Sequence, residues 1–145
     1  MLEIVVAVPS DAQMLAEIES SQPMSAMWGP CGIKSEIESP SSLTLKAVKD
    51  GTIAGFVSAK IIPPEAQILN LAVSVKYLRL GIGFGLVKEL ARLAKQKDCS
   101  AVTLEVNCKN SGALNLYLKL GFIKVGIRRK FYKGADDAVL MDWKI

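Results

Sequence analysis

The amino-acid sequence predicts an α/β fold in which helices flank a mixed, mostly antiparallel, twisted sheet of six to seven strands. Three observations predict it. Asp50-Gly51 separates two apolar runs, which is the pattern of a β-hairpin. Apolar residues within Ile82–Lys97 recur at helical spacing. Because this run stands between two apolar stretches of strand length, it predicts a parallel β-α-β step in the middle of the chain.

The N-terminal part predicts a strand, a helix and an irregular segment. Leu2–Val8 has the composition of a strand, and Ser10 followed by Gln13 predicts a capped helix start. The apolar face expected for this helix consists of Met14, Leu15 and Ile18. Residues 21–42 are rich in Ser, Pro and Gly, and we expect a mobile segment with a short helix around Lys34–Glu38.

The rest of the chain predicts strands that alternate with helices. The expected strands are Leu43–Val48, Ile53–Ile61, Gln67–Val75, Ala101–Val106, Phe122–Tyr132 and Ala138–Lys144. Asn110 or Ser111 caps a helix through Leu120, and Gly121 stands where a helix-ending glycine belongs. The last two strands form a closing hairpin around residues 134–137. At 145 residues, we expect residues 1–145 to form a single domain.

Composition excludes several kinds of chemistry. The chain has no histidine, which removes Ser-His-Asp and Cys-His schemes and the commonest metal ligand. Its three cysteines are odd in number and lack C-x-x-C spacing, so neither a zinc site nor a disulfide framework is expected. No apolar run has transmembrane length, and the N-terminus lacks the features of a signal peptide. The sequence therefore predicts a metal-free, cytoplasmic protein without a membrane partner.

Charge is divided unevenly along the chain. Residues 1–65 hold 4 Lys/Arg and 8 Asp/Glu, a net charge of −4, whereas residues 66–145 have a net charge of +8. The basic half suits a polyanionic ligand. The segment Arg128–Lys133 interleaves cations with aromatics, but it also fits a strand end with solvated cations. We therefore expect no nucleic-acid partner.

A glycine-rich turn, Leu78–Gly85, closes an apolar run and opens the central helix. Unpaired amides at a helix N-terminus bind anions, and glycine lets the main chain approach a phosphate closely. The turn lacks the Lys-Ser/Thr pair of a P-loop, and the spacing of its third glycine differs from that of a dinucleotide-binding fingerprint. It therefore predicts a phosphate site of another kind, with a plain strand-to-helix turn as the alternative.

Five segments together form a recognisable pattern: Leu78–Gly83, Leu104–Asn110, Ala113–Phe122, Gly126–Tyr132 and Asp137–Met141. They resemble the GNAT superfamily of N-acetyltransferases, and in particular its RimI type, whose bacterial members acetylate the N-terminal alanine of a small-subunit ribosomal protein. The resemblance is clear from about residue 66 onwards and weak before it. It implies the GNAT fold, acetyl-CoA as cosubstrate, and direct transfer to a primary amine, preferably a protein N-terminus such as that of a ribosomal protein.

The family's acetyl-CoA signature, Q/R-x-x-G-x-G/A, corresponds here to Leu78–Gly83. Leu78 replaces the usual Gln or Arg, which puts the affinity for pyrophosphate in question, although main-chain amides make most of that contact. The cofactor-binding residues that the resemblance implies are Leu71, Ala72, Val73, Leu78, Arg79, Leu80, Gly81, Ile82, Gly83, Phe84 and Asn110. A main-chain N–H of Leu69–Val73 would polarise the acetyl carbonyl. Asn110 either caps its helix or touches the cofactor.

The resemblance also implies two catalytic residues. Strand alternation places Glu105 on the face opposite Leu104 and Val106, where a charge needs either a partner or a function. The family match assigns Glu105 as the general base that takes a proton from the amine. Tyr117 lies on an apolar helix face and by itself fits a core tyrosine; the family match assigns it as the acid that protonates the CoA thiolate.

The acceptor is expected to enter between residues 21–42 and the 128–136 hairpin. Met24, Met27 and Trp28 are candidates to line its pocket, with a core or capping role as the alternative. Because a fold does not determine the substrate, a small-molecule amine acetyltransferase is the first alternative. A non-catalytic CoA-binding or regulatory module is the second.

Overall fold

The computed structural model describes residues 1–22, 25–132 and 136–145, and these residues build one seven-stranded sheet flanked by helices. The strands are β1 (Leu2–Val6), β2 (Ser42–Lys49), β3 (Thr52–Ile62), β4 (Glu65–Val73), β5 (Ala101–Asn107), β6 (Ile123–Arg128) and β7 (Ala138–Lys144). The α-helices are α1 (Ala12–Ser20), α2 (Gly29–Glu38), α3 (Ile82–Gln96) and α4 (Ser111–Leu120). Short 3-10 turns at Pro9–Asp11 and Val75–Tyr77 precede α1 and α3.

The strands lie in the order β1-β2-β3-β4-β5-β7-β6. Among the described residues the β4–β5 pair is parallel and every other pair is antiparallel, which confirms the predicted mixed sheet and its central β-α-β step. Two apolar clusters hold the layers together. One joins α3 and α4 to the sheet, and the other joins α1 and α2 to the opposite face through Phe56 and Ala72.

The structure confirms the predicted elements, with shifts of their ends. The hairpin at Asp50-Gly51 connects β2 to β3, and Gly51 has a φ of 81°, which suits a glycine. The predicted short helix at Lys34–Glu38 is longer, because α2 already begins at Gly29. In the closing hairpin, residues 133–135 lie outside the described part of the chain.

Two details predicted for the first helix are wrong. Ser10 lies inside the 3-10 turn, and it is the Asp11 carboxylate that accepts a hydrogen bond from the Val8 amide at 2.8 Å. Met14 is exposed, because the buried residues of this helix recur every three to four positions from Ala12 and Met14 falls between them. The buried face consists of Ala12, Leu15, Ala16, Ile18 and Glu19.

A break in the sheet positions the candidate site. The parallel β4–β5 ladder ends where Ile68 pairs with Leu104, and the two strands part beyond that point. At the same level β4 carries an extra residue, Leu69, because Ser58 pairs with Asn70 while the next residue of β3 pairs with Ile68. The bulge changes which face each later side chain of β4 occupies, and the parting opens a gap in the sheet.

No helix in the described part of the chain has the length and apolar character to cross a membrane.

Candidate functional site

Two cavities meet at the gap between β4 and β5. The first, which we call the turn groove, has a volume of about 740 Å³ and runs between the end of β4, the glycine-rich turn and the start of α4. It is lined by Gln22, Leu71, Ala72, Val73, Tyr77, Leu78, Arg79, Gly81, Ile82, Gly83, Phe84, Asn110, Gly112, Ala113, Asn115, Leu116 and Lys119. The second, the gap cavity, has a volume of about 320 Å³ and opens between the α1–α2 loop and the β6–β7 hairpin.

The turn groove ends at the N-terminus of α3, whose geometry suits an anion. Gly81 precedes the helix with a φ of 77°, and the first hydrogen bond of the turn runs from the Gly85 amide to the Gly81 carbonyl at 3.0 Å. The amides of Ile82, Gly83 and Phe84 therefore have no partner within the helix and are free to bind an anion. The dipole of α3 and the nearby cation Arg79 both favour negative charge here.

Gly83 brings the main chain close to the floor of the groove. A Cβ at this position would lie 3.3 Å from Leu116 Cδ2 and 3.7 Å from Val73 Cγ2. Both of these neighbours line the groove, so a side chain at position 83 would narrow it. Leu78, which replaces the family's Gln or Arg, lines the groove with an apolar side chain.

The structure brings ten of the eleven predicted cofactor-binding residues to the turn groove. The exception is Leu80, which is exposed and does not line it. Asn110 caps α4, since its Oδ1 accepts a hydrogen bond from the Ala113 amide at 3.2 Å, and it also lines both cavities. Asn110 therefore caps α4 and also lies where it could touch the cofactor.

The gap cavity contains the predicted base. It is lined by Ser25, Ala26, Gln67, Ile68, Leu69, Asn70, Leu71, Leu104, Glu105, Val106, Asn107, Asn110, Ala113, Tyr117, Phe131 and Tyr132. Strand alternation occurs as predicted, with Leu104 and Val106 buried and the Glu105 side chain 19% exposed on the opposite face. The Glu105 carboxylate pairs with Arg128, whose Nη2 lies 2.8 Å from Oε1.

Arg128 thus has a structural partner and is more than a solvated cation at a strand end. Its guanidinium also lies over the ring of Phe131, 4.7 Å from the centroid. The nearby Tyr132 phenol is partly buried, which raises its pKa, and the Glu105 carboxylate raises that pKa further while Arg128 opposes the change. Sequence reasoning missed this group because the ion pair joins two different strands.

Tyr117 is only 5% exposed and packs against Phe122, with 5.3 Å between the ring centroids. Burial raises the pKa of its phenol, and the neighbouring Tyr132 raises it further. Tyr117 is therefore neutral and a proton donor at physiological pH. Its hydroxyl makes no hydrogen bond with the described residues, although Tyr117 lines the gap cavity. The hydroxyl is not a buried unpaired group, since Asn70 Oδ1 is the only such side-chain atom among the described residues. The place of Tyr117 on the cavity wall therefore fits both the core and the functional interpretation.

Of the residues proposed for the acceptor pocket, neither Met27 nor Trp28 lines the gap cavity. Trp28 packs against the α1–α2 apolar cluster, and Met27 is exposed beside another surface cavity. Met24 lies outside the described residues. The α1–α2 loop instead contributes Ser25 and Ala26.

Sequence reasoning also missed a buried polar group beneath this loop. Glu19 is 1% exposed and accepts hydrogen bonds from the Trp28 amide at 2.8 Å, the Gly29 amide at 3.0 Å and Asn70 Nδ2 at 2.7 Å. Nearby, Gln22 Nε2 donates to the Val73 carbonyl at 2.8 Å, which ties the end of α1 to the wall of the turn groove. The sequence did offer a signal for this group: Glu19 and Asn70 are polar residues at positions where the patterns of α1 and β4 place buried side chains.

The model of the acetyltransferase (GNAT) family matches residues 12–122. This chain belongs to the GNAT acetyltransferase family. It is 32% identical over 134 residues to the putative ribosomal protein bS18-alanine N-acetyltransferase of Bacillus subtilis, a match that covers 92% of this chain and 88% of the relative. It is 34% identical over 134 residues to the N-alpha-acetyltransferase RimI of Mycobacterium tuberculosis, covering 88% and 83% of the two chains.

Among solved structures, the ribosomal-protein-S18-alanine N-acetyltransferase of Escherichia coli superimposes on this GNAT chain with a TM-score of 0.88. Their sequences are 27% identical, and the match covers 100% of this chain and 94% of the other. The RimI-type resemblance and the GNAT fold are thereby confirmed. The chain is an acetyl-CoA-dependent N-acetyltransferase.

Proposed function

We propose that this enzyme transfers the acetyl group to the α-amino group of a protein N-terminus. Acetyl-CoA would lie in the turn groove with its pyrophosphate at the start of α3, and the acceptor would enter through the gap cavity. The observation that carries the proposal is that the two cavities share Leu71, Asn110 and Ala113, with Glu105 on the wall of the acceptor side. This arrangement brings an amine and a thioester together where the strands part.

The proposed chemistry uses one base and one acid. The amine attacks the thioester carbonyl, a new N–C bond forms, and the C–S bond breaks. Glu105 takes the proton from the amine, and Tyr117 returns one to the departing sulfur. A main-chain N–H of β4 stabilises the oxyanion as it forms. The α-amino group of a peptide has a reference pKa of about 7.7–8.0, so a carboxylate is an adequate base.

Two features support a protein N-terminus as the acceptor. The gap cavity opens between the Ser25–Ala26 loop and the Phe131–Tyr132 hairpin, which leaves a path for the rest of a peptide chain. The relatives from Bacillus subtilis and Escherichia coli are named for ribosomal protein bS18 and its alanine. The N-terminal peptide of the corresponding ribosomal protein is therefore the first acceptor to test, and a cytoplasmic location stays a prediction.

The test is thiol release from acetyl-CoA with a short peptide that begins with alanine, beside the same peptide blocked at its N-terminus. Turnover is expected only with the free N-terminus. If neither peptide reacts, a panel of polyamines and aminoglycosides tests whether the acceptor is a small-molecule amine instead. Turnover of the blocked peptide would contradict the proposal, because the acetyl group would then go to another position.

A further inference from the structure

The ion pair between Glu105 and Arg128 spans β7. Glu105 of β5 pairs with Leu140 of β7, and Arg128 of β6 pairs with Ala138, two residues earlier on β7. Paired residues share a face of an antiparallel sheet, and residues two apart on one strand share it as well. Arg128 therefore lies on the same face as Glu105, opposite the cluster of α3 and α4, and its side chain crosses β7 to reach the carboxylate.

Two contacts hold the guanidinium of Arg128. Its Nη2 lies 2.8 Å from Glu105 Oε1, and the group stands over the ring of Phe131, 4.7 Å from the centroid. The face of an aromatic ring attracts a cation, and a planar guanidinium stacks on it. Glu105 and Phe131 line the gap cavity, whereas Arg128 does not. Arg128 thus supports two residues of the cavity wall from behind.

Glu105 depends on Arg128 for an ionic partner. Arg128 is the only cation in ion-pair contact with Glu105 among the described residues. The Glu105 side chain is 19% exposed, and a carboxylate that is largely removed from water is costly without a partner. Asn70 Oδ1 is the only buried side-chain atom without a hydrogen bond in the described part of the chain, so the Glu105 oxygens stay accessible. The ion pair therefore stabilises the carboxylate without closing it off from the cavity.

We propose that Arg128 positions Glu105 for proton transfer by holding one carboxylate oxygen and leaving the other open to the amino group of the acceptor. This inference rests on the proposed function. Arg128 acts through Glu105 and is a positioning residue. A base that turns away from the amine accepts its proton poorly, and a misplacement of about 1 Å can cost about 10²-fold in rate. Because Arg128 belongs to the β6–β7 hairpin, the hairpin that bounds the acceptor path also orients the base.

The test is a double-mutant cycle of Arg128→Met and Glu105→Gln, with Arg92→Met as the matched control. The Arg92 side chain is 58% exposed, against 53% for Arg128, and it pairs with Glu89 outside both cavities. Thiol release from acetyl-CoA is measured with the peptide that begins with alanine. We expect Arg128→Met to lower kcat about tenfold with the KM for acetyl-CoA unchanged, and Arg92→Met to change neither. In Glu105→Gln, Arg128→Met should cause no further loss beyond about twofold, the usual error of additivity.

A tenfold loss that persists in Glu105→Gln would show that Arg128 acts independently of the base, and an unchanged kcat in Arg128→Met would make the ion pair purely structural. Either result overturns the inference and leaves the proposed function intact. If Arg128→Met does not fold, Arg128→Gln is measured in the same cycle. If the wild type does not acetylate the peptide, the proposed acceptor falls, and the cycle is measured with the amine that the panel identifies. If Glu105→Gln keeps full turnover, or no amine reacts with the wild type, both proposals fall.

Discussion

The Tyr117 hydroxyl is the group whose removal best separates catalysis from packing. Tyr117→Phe keeps the ring against Phe122 and deletes only the hydroxyl, which has no hydrogen bond to the described residues. We expect kcat to fall by roughly 10²–10⁴ if the phenol protonates the leaving thiolate. The free energy of unfolding should change by less than about 0.5 kcal/mol, because no protein contact is lost. Steady-state kinetics and urea unfolding measure the two effects, and unchanged turnover would remove Tyr117 from the mechanism.

The proposed role of Glu105 as general base can be tested through the pH dependence of the rate, because the acceptor amine must lose a proton before it attacks. In Glu105→Gln the acceptor must lose its proton to water, so the rate follows the fraction of free amine. We expect kcat/KM to fall by about 10² or more at pH 7 and to recover partly as the pH rises through the amine pKa of about 7.7–8.0. Glu65→Gln, which removes an exposed carboxylate outside both cavities, is the control. Equal pH–rate profiles for wild type and Glu105→Gln would contradict the assignment.

At the scale of single elements, the start of α3 combines two glycines with different expected effects. A Cβ at Gly83 would approach Leu116 and Val73 in the turn groove, whereas a Cβ at Gly85 would lie 3.3 Å from Ile4 Cδ1, away from that groove. We expect Gly83→Ala to weaken acetyl-CoA binding about tenfold. Gly85→Ala should leave the affinity unchanged, although alanine favours a helix by about 0.5–1 kcal/mol over glycine. Calorimetric titration measures the acetyl-CoA affinity of the two variants. Equal affinities would mean that the cofactor does not bind against the part of the groove formed by Gly83.

The docking of α2 onto the sheet depends on the ionisation of Glu36. Burial alone would raise the pKa of this carboxyl, but hydrogen bonds from Ser42 and Lys60 and the charge of Lys60 outweigh it and hold the pKa below its ordinary value. Lys60 Nζ lies 2.9 Å from Glu36 Oε1. Because the pKa is lowered on folding, the stabilisation is present above the unfolded value near 4.5 and is lost as the pH falls through the folded value.

We therefore expect wild-type protein to lose more unfolding free energy than Glu36→Gln between pH 7 and pH 3.5. A difference of about 1 kcal/mol or less is typical of a partly exposed pair. Urea unfolding at the two pH values measures it. Identical losses in the two proteins would show that other carboxylates carry the acid sensitivity.

Across the whole molecule, local patterns predicted most elements and long-range contacts escaped prediction. Asp50-Gly51 defined the β2–β3 hairpin, and Asn110 and Gly121 defined the ends of α4, because each of these effects acts within a few residues. Glu19 and Asn70 are 51 residues apart, so no local pattern pairs them. Met14 was misassigned because an apolar residue near a helix start fits more than one face until the start is known.

In the candidate site, too, the local features were predicted from the sequence and the long-range contacts were not. The glycine-rich turn and the alternation around Glu105 follow from spacing, and the RimI-type resemblance supplied the roles proposed for the turn, Glu105 and Tyr117. The partner of Glu105 and the walls of the gap cavity depend on how β4, β5 and the β6–β7 hairpin meet in space. Charge is also a property of the whole chain, since the basic half carries most of the turn groove, where we propose that the anionic cofactor binds.

The parting of β4 from β5 has a consequence for hydrogen exchange. Beyond Ile68 the described part of β5 no longer pairs with β4, so the β4 amides that face the gap have no partner strand. In the free protein these amides should exchange with deuterated solvent faster than those of the central β3. Acetyl-CoA in the turn groove should slow the exchange of a peptide that covers residues 69–73. Mass spectrometry would therefore detect cofactor binding at the gap itself, before any acceptor has been identified.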